Sequence, residues 1–376
     1  MFICSRLRLY PTEAQEKQLL EWEGHTRWLW NRLLALNIEK YENEKKFVFR
    51  YEMSKLLTGL KEEHEWLREC SSYALQHVCL DLDAALRRSF KSQKNRGGFP
   101  KWKRKWRRSF GFYSPYANFS DVSPFVQLPK LGSIRYRGRL HVSGRAVGHV
   151  VKRTPDGRWH LVTKFEVSDV PSVSSGEVLG IDVGLLDLAT TSEGEIFDNR
   201  RFYRQDEGKI KRLSRRHSKK TDGSNRRDRA RRALARAHAK IKNRRDHHLH
   251  QITSAIAKRT DVGTVVVEDL NIEGMKKRLG KSFSDAALNR FISALEYKCA
   301  LFGKRFARAD RFFPSSQICS SCGHSWGKLT LDVREVTCSE CGTHHDRDTN
   351  AAVNLKNYVA VERAETLNGR GDRISV

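Results

Sequence analysis

The sequence predicts a multi-domain α+β protein from three observations. Helical periodicity dominates the first ninety residues, short strands follow it, and two apolar strands far apart in the C-terminal half each carry carboxylates. With 376 residues, 39% of them hydrophobic, the chain can bury real cores in two or three domains. Its 71 Lys and Arg against 44 Asp and Glu give a net charge of +27. That excess strains a compact state by self-repulsion. Because it is clustered rather than spread, it points to a polyanionic partner over mere solubility.

The opening Arg6-Leu7-Arg8-Leu9-Tyr10-Pro11 alternates like a strand and is stopped by proline. Thr12, three residues before Gln15, offers a capping box for the helical stretch that runs to about residue 92. Its stripe of Trp22, Trp28, Trp30, Leu33 and Leu34 reads as helical core ahead of a base-stacking surface. In residues 93–108, Gly97-Gly98 and Pro100 break the helix, and basic residues interleave with Phe99, Trp102 and Trp106. Cations hold phosphates and ring faces stack bases, so Lys101, Trp102 and Lys103 are candidate contacts for RNA or single-stranded DNA. Residues 110–168 read as short strands turning at Gly132, Gly138, Gly144 and Pro155-Asp156-Gly157, a small sheet or barrel.

Pro171 to Gly176 reads as a linker, after which Val178 to Gly184 forms an apolar strand containing Asp182. Residues 205–258 form two helical runs broken at Thr221–Asn225. Residues 201–250 hold 19 Lys and Arg against 5 Asp and Glu. A solvated helix pair alternates signs; this one does not, so Arg212, Arg215, Arg216, Arg227, Arg231 and Arg244 are candidate phosphate contacts. His247, His248 and His250 lack metal-site spacing and read as surface residues. A second buried strand, Thr264 to Leu270, carries Glu268 and Asp269. Then come a loop from Asn271 to Ser284, an amphipathic helix marked by Leu288, Phe291 and Leu295, and a strand from Lys304 to Asp310.

Cys319-Ser320-Ser321-Cys322 and Cys338-Ser339-Glu340-Cys341 are two C-x-x-C knuckles at the separation a tetrahedral thiolate zinc site needs. Gly323 and Gly342 permit the turns. Four closed ligands leave no open position, so this zinc is structural. The other cysteines (Cys4, Cys70, Cys79 and Cys299) read as buried free thiols, and no disulfide is expected.

Carboxylates rarely occupy buried strands without purpose. Asp182 on one strand and Glu268 at the end of another converge if those strands are neighbours. Asp346-Arg347-Asp348-Thr349-Asn350-Ala351-Ala352 then starts a helix able to bring a third acid. Three such carboxylates can hold two hard divalent cations, Mg²⁺ or Mn²⁺, for phosphodiester hydrolysis.

At this point the chain resembles a family. Gly180-Ile181-Asp182-Val183-Gly184-Leu185, Val267-Glu268-Asp269-Leu270-Asn271, Pro314-Ser315-Ser316, both knuckles and the Asp346–Ala352 motif occur in the order seen in TnpB, the OrfB protein of insertion sequences, which is related to type V CRISPR effectors. Arg8-Leu9-Tyr10-Pro11, Arg27 with Asn31, and Phe99-Pro100-Lys101-Trp102-Lys103 resemble its N-terminal half. The resemblance implies a wedge-like β-barrel (1–12 and 93–170), a helical recognition insertion (13–92), an RNase H-like RuvC nuclease domain (176–317 and 342–360), a zinc ribbon (318–341) and a flexible tail (361–376). It implies a guide RNA from the transposon end, a short motif beside the target, and cleavage of both DNA strands. Asp182, Glu268 and Asp348 map onto the family's catalytic, magnesium-binding acids. Asp348 is preferred to Asp346 because it lies two residues before Asn350, and the loop 271–284 is expected to be a lid.

Two rival readings share these features: a nuclease-inactive nucleic-acid-binding regulator, against which the intact acids count, and a transposase or accessory transposition protein. No stretch approaches the ~20 apolar residues that span a bilayer, and Met1 to Arg6 lacks a signal-peptide core, so a cytoplasmic prokaryotic protein, nucleoid-associated when on DNA, is expected.

Overall fold

A computed structural model describes residues 1–90, 98–104, 110–120, 124–139, 144–168, 171–172, 175–270, 280–330 and 332–368. Contacts divide the chain into two compact units: Met1–Ser168 with Arg231–Arg236, and Asp169–Ala230 with Ala237–Val376.

The first unit starts with β1 (Phe2–Tyr10), halted by Pro11 as expected. Helix α1 (Glu13–Glu44) follows, and its capping box forms: Gln15 N donates to Thr12 Oγ1 (3.3 Å) and Thr12 N to Gln15 Oε1 (3.0 Å). The expected single helical stretch then breaks into α2 (Arg50–Glu63), a 3₁₀ turn (Glu65–Glu69) and α3 (Ser72–Phe90). Six further strands complete the unit: β2 (Phe110–Ser114), β3 (Asn118–Phe119), β4 (Phe125–Leu128), β5 (Gly132–Arg137), β6 (Arg145–Arg153) and β7 (Trp159–Glu166). They join β1 in a seven-stranded sheet, ordered β2-β6-β7-β1-β5-β4-β3, in which every pairing is antiparallel. The turn glycines 132, 138 and 157 take positive φ values of 72°, 128° and 85°, where a side chain is strained.

Trp22, Leu29 and Leu33 of α1 share one core with Leu75, Leu82 and Leu86 of α3 and Ile134, Val151 and Leu161 of the sheet. Trp22 and Trp30 are buried, as the core reading requires, and Trp28 packs edge-on against Trp66 at 5.0 Å. Residues 93–97 and 105–108, including Trp106, lie outside the described residues.

The second unit is built on β8 (Glu177–Asp182), β9 (Asp187–Thr191), β10 (Ile196–Asp198), α4 (Phe202–Ser218), α5 (Asn225–Lys258), β11 (Val262–Glu268), α6 (Leu288–Leu301) and β12 (Arg305–Ala309). The short strands β13 (Glu335–Thr337) and β14 (His344–Asp346) then pair, and α7 (Arg347–Asn368) closes the described chain. The main sheet runs β10-β9-β8-β11-β12; β11 is parallel to both β8 and β12, while β9 and β10 run antiparallel. Alternation on a strand decides which helix covers which face. Leu179, Ile181, Val265 and Val267 pack with Ile252 and Ile256 of α5 and Phe291 and Leu295 of α6. Val266 on the opposite face packs with Leu355 of α7 and Ala309. The sheet is thus covered on both sides, which is why its parallel strands read as unbroken apolar runs.

Three details differ from the sequence reading. Residues 280–286 are helical rather than loop, while 271–279, most of the expected lid, lie outside the described residues. Cys4 is exposed, because it faces outward on β1; Cys70, Cys79 and Cys299 are buried, and burial raises their pKa values to about 12, 11 and 12. The expected flexible tail is helical as far as Asn368, and 369–376 lie outside the described residues. Among the described residues, no helix is long and apolar enough to cross a membrane.

Candidate functional site

Glycine 180 sets the geometry of the acidic site. A Cβ there would lie 1.9 Å from Ala352 O and 2.6 Å from Lys356 N, so β8 and α7 touch backbone to backbone. Ala351 and Ala352 are small and buried where that contact occurs. Gly180 and Asp182 share a strand face, as do Val266 and Glu268 on β11. Val267 pairs with Ile181, so Asp182 and Glu268 stand one step further along two adjacent parallel strands. Both point to the α7 side of the sheet.

The motif at the start of α7 divides its labour. Asp346 Oδ1 accepts from Thr349 N at 2.8 Å, so this acid is the helix cap. Asp348, in the first turn, faces Asp182 and Arg334, whose Nη1 lies 3.3 Å from Asp348 Oδ2. Arg347 Nη1 donates to Thr330 O (2.8 Å), Asn350 takes Ser320 N (2.9 Å) and gives to Ile318 O (2.7 Å), and Asn354 gives to Ser315 O and Ile318 O (both 2.7 Å). Asn350 and Asn354 are buried, so one helix both positions an acid and anchors the first knuckle.

The carboxylates feel one another. Asp182 keeps some solvent contact, yet the protein around it, then the negative charges of Asp348 and Glu268, push its pKa up to about 7 from 3.8; Arg347 works against this. Burial raises Glu268, helped by Asp269. Burial also raises Asp348, with Arg334 opposing and Asp346 and Asp187 adding. Carboxylates held against their own repulsion favour either a proton or a cation. Among the described residues, four cysteines bring all their ligand atoms within 4.8 Å of one another.

Those cysteines are the predicted ones. Cys319 Sγ lies 3.7 Å from Cys341 Sγ, and Cys322 Sγ 3.6 Å from Cys338 Sγ. Four sulfurs at ~2.3 Å around a tetrahedral ion stand about 3.8 Å apart, so the cluster could hold a zinc ion as built. Gly323 N bonds Cys319 O and Gly342 N bonds Cys338 O, with positive φ at both glycines closing each knuckle. His345 Nε2 stands 3.1 Å from Cys319 Sγ, placed to donate to a thiolate. The hairpin of β13 and β14 extends past the second knuckle directly into α7.

The predicted nucleic-acid contacts fall into groups. Arg212, Arg215 and Arg216 are exposed on α4. Arg227 bonds Lys220 O (2.7 Å), and Arg244 bonds Asp206 (3.2 Å) and Gln205 (2.8 Å), so both also brace the α4–α5 hairpin. Arg231 is half-buried, in the short stretch that groups with the first unit. His248 bonds Asp198 O at 3.0 Å and is not a free surface residue. In the first unit, Asn31 exchanges hydrogen bonds with the Lys103 backbone (2.9 and 3.1 Å), so it holds the segment carrying Lys101, Trp102 and Lys103 rather than facing outward. Arg27 lies on α1 beside it. The sequence reading missed Arg334, Asn354 and Asp187 and gave Asn350 no anchoring role; only the Asn350–Asn354 spacing, one helical turn, signalled a shared task.

A two-face-covered sheet with convergent carboxylates and a cysteine ribbon resembles solved RNA-guided effectors in fold. The chain superposes on a Cas12f1–sgRNA–target DNA complex with a TM-score of 0.54, 13% identity and coverage of 95% of this chain and 99% of that one. For CasPhi-2 (Cas12j) bound to crRNA the values are 0.50, 10%, 96% and 98%. Family profiles match too: "Probable transposase" (OrfB_IS605) at residues 160–279, a Cas12f1-like TNB domain at 289–355 and an OrfB "Helix-turn-helix domain" at 4–46, which here is one strand followed by one unbroken helix. A "Putative RNA-guided DNA endonuclease" of Streptomyces pristinaespiralis is 35% identical over 98% of this chain and 91% of its own length. The similarly named InsQ of Escherichia coli K12 is 29% identical over 93% and 90%. The chain belongs to the TnpB (OrfB) family.

Proposed function

We propose that the protein is an RNA-guided DNA endonuclease that cuts double-stranded DNA beside a short transposon-adjacent motif, using a guide RNA from the transposon end. The carrying observation is the placement of Asp182 and Glu268 side by side on parallel strands with Asp348 brought over them by α7. Asp182, Glu268 and Asp348 would hold two Mg²⁺ or Mn²⁺ ions. Those ions would supply an activated water and a stabilised leaving oxygen for phosphodiester hydrolysis.

The chain's own residues do the rest. Gly180 lets α7 approach, Asn350 and Asn354 lock it to the cysteine ribbon, and Arg334 neutralises Asp348 when no cation does. In the same reading, the first unit is the wedge and recognition part, the second is the RuvC-like domain, and the arginines of α4 and α5 meet backbone phosphates. Base pairing supplies sequence choice, so backbone contacts suffice for the protein. Purified with its RNA and given Mg²⁺, the protein should cut a plasmid bearing the guide-matched target, and Asp182→Ala should abolish cutting while keeping the RNA. Strand-transfer products, or binding with no cutting by the unaltered protein, would instead support the transposase or the regulator.

A further inference from the structure

The first unit contains a cavity of about 1010 Å³ between α1, α3, β2 and the extended segment 98–104. It is at the upper end of the roughly 300–1,000 Å³ that small-molecule sites occupy. Its floor is apolar and aromatic: Trp30 and Phe112 are almost wholly buried, and Val78 and Ala74 line it beside them. On one wall His77 and Tyr113 stack at 4.7 Å, leaving a ready ring platform. The rim is cationic. Arg27, Lys101, Lys103 and Arg104 line the cavity, and no carboxylate engages any of them in an ion pair among the described residues. Of the two acids present, Glu23 is held by Arg153 at 3.0 Å, leaving Asp81, 3.5 Å from His77.

The segment that forms the rim is fixed rather than draped. Trp30 Nε1 donates to Lys101 O (3.1 Å), Asn31 brackets Lys103, and Lys103 Nζ sits 3.8 Å above the Trp30 ring. Lys103 remains solvent-accessible, so although crowding lowers its pKa to about 8 it is still mostly charged at neutral pH. A fixed cationic rim over an aromatic well is the arrangement that holds one phosphate and one base face together.

We propose that this cavity receives a single unpaired nucleotide of a bound strand, its base against the His77–Tyr113 wall and its phosphate on Arg27, Lys103 and Arg104. This rests on the nucleic-acid reading above but is separable from it. The strand is unpaired here, not read as duplex: the rings lie in the buried floor and wall, which a paired base cannot reach, while the exposed cations Lys103 and Arg104 meet its backbone. Asn31 is a positioning residue.

The test is ultraviolet cross-linking and mass spectrometry of the full-length protein purified with its nucleic acid. Nucleotide adducts are expected on peptides carrying Trp30, Trp102 or Tyr113, and the adduct mass separates a ribonucleotide from a deoxyribonucleotide. Ala85→Trp, at a half-exposed cavity wall, should reduce those adducts about tenfold or more while adducts elsewhere persist. Arg27→Glu should do the same without filling the cavity, and decides the matter if Ala85→Trp lowers the melting temperature. Adducts confined to other peptides, or unchanged in both variants, overturn the cavity while leaving the nuclease reading intact. Purified protein carrying no nucleic acid at all would overturn both.

Discussion

Replacing Gly180 with alanine tests the central geometry without touching an acid. The added Cβ would sit 1.9 Å from Ala352 O, whereas ordinary contact begins at 3.4 Å, so α7 must retreat by about 1.5 Å. The neighbour is backbone on both sides, so no side chain can swing away to absorb the clash. Overpacking of this kind costs ~1–3 kcal/mol, and for a domain this size each kcal/mol lowers the melting temperature by ~2–4 °C. Under the proposed mechanism the larger effect falls on chemistry, because Asp348 rides on α7: a misplacement of ~1 Å typically slows a reaction about 100-fold. Plasmid cleavage in Mg²⁺ by the RNA-loaded protein, alongside thermal melting by circular dichroism, measures both. Gly208→Ala on α4, where a Cβ meets nothing within 4 Å, is the control and should be neutral or slightly stabilising. Cleavage by Gly180→Ala within twofold of the unaltered protein would refute the claim that this contact places Asp348.

The acids carry a pH signature. In the folded, metal-free protein Asp182 holds its proton up to about pH 7, against 3.8 for its ordinary value, and Glu268 and Asp348 shift the same way. The folded state therefore binds more protons than the unfolded one in that window, so stability should fall as pH rises from about 4 to 7. Adding Mg²⁺ should restore it with release of protons; a flat melting temperature from pH 4 to 7 would contradict the crowding. Cys319→Ser should reduce zinc content measured by mass spectrometry and destabilise the C-terminal half, and unchanged metal content would remove the ribbon's ligand assignment. Asn350→Leu leaves Ser320 N without its partner and Ile318 O with only Asn354, an expected loss of ~1–3 kcal/mol by chemical denaturation. Changing Arg212, Arg215 and Arg216 together to glutamine should flatten the slope of log affinity against log salt by roughly 2–3 if each meets a phosphate; an unchanged slope would place the nucleic acid elsewhere.

Local patterns were legible wherever the chain solves a local problem. Thr12 and Gln15 cap a helix, Pro11 ends a strand, and Val265 to Val267 run apolar because both faces of β11 are covered; each is settled within a few residues. The knuckles belong here too, since each C-x-x-C turn is short, although their pairing needed Asn350 and Asn354 to anchor the first one. Identity of the acids was also visible, because carboxylates in apolar strands are conspicuous. That Asp182 and Glu268 meet was legible only as a condition, on β8 and β11 being neighbours. Asp346 and Asp348 are interchangeable to composition, and only the helix N-terminus, which uses Asp346 as its cap, leaves Asp348 to turn toward Asp182.

Residue types and short spacings thus determined most helices and strands, the cysteine knuckles and the basic segments of this protein by themselves, because hydrogen bonding and side-chain alternation act over one turn or one pleat. Tertiary structure alone decided that β8 and β11 are neighbours, that α7 lies against Gly180, that Arg334 reaches Asp348, and that segment 98–104 roofs an aromatic cavity. Those contacts join residues tens to hundreds of positions apart, where no local periodicity carries information and only the packing of whole elements selects the partner.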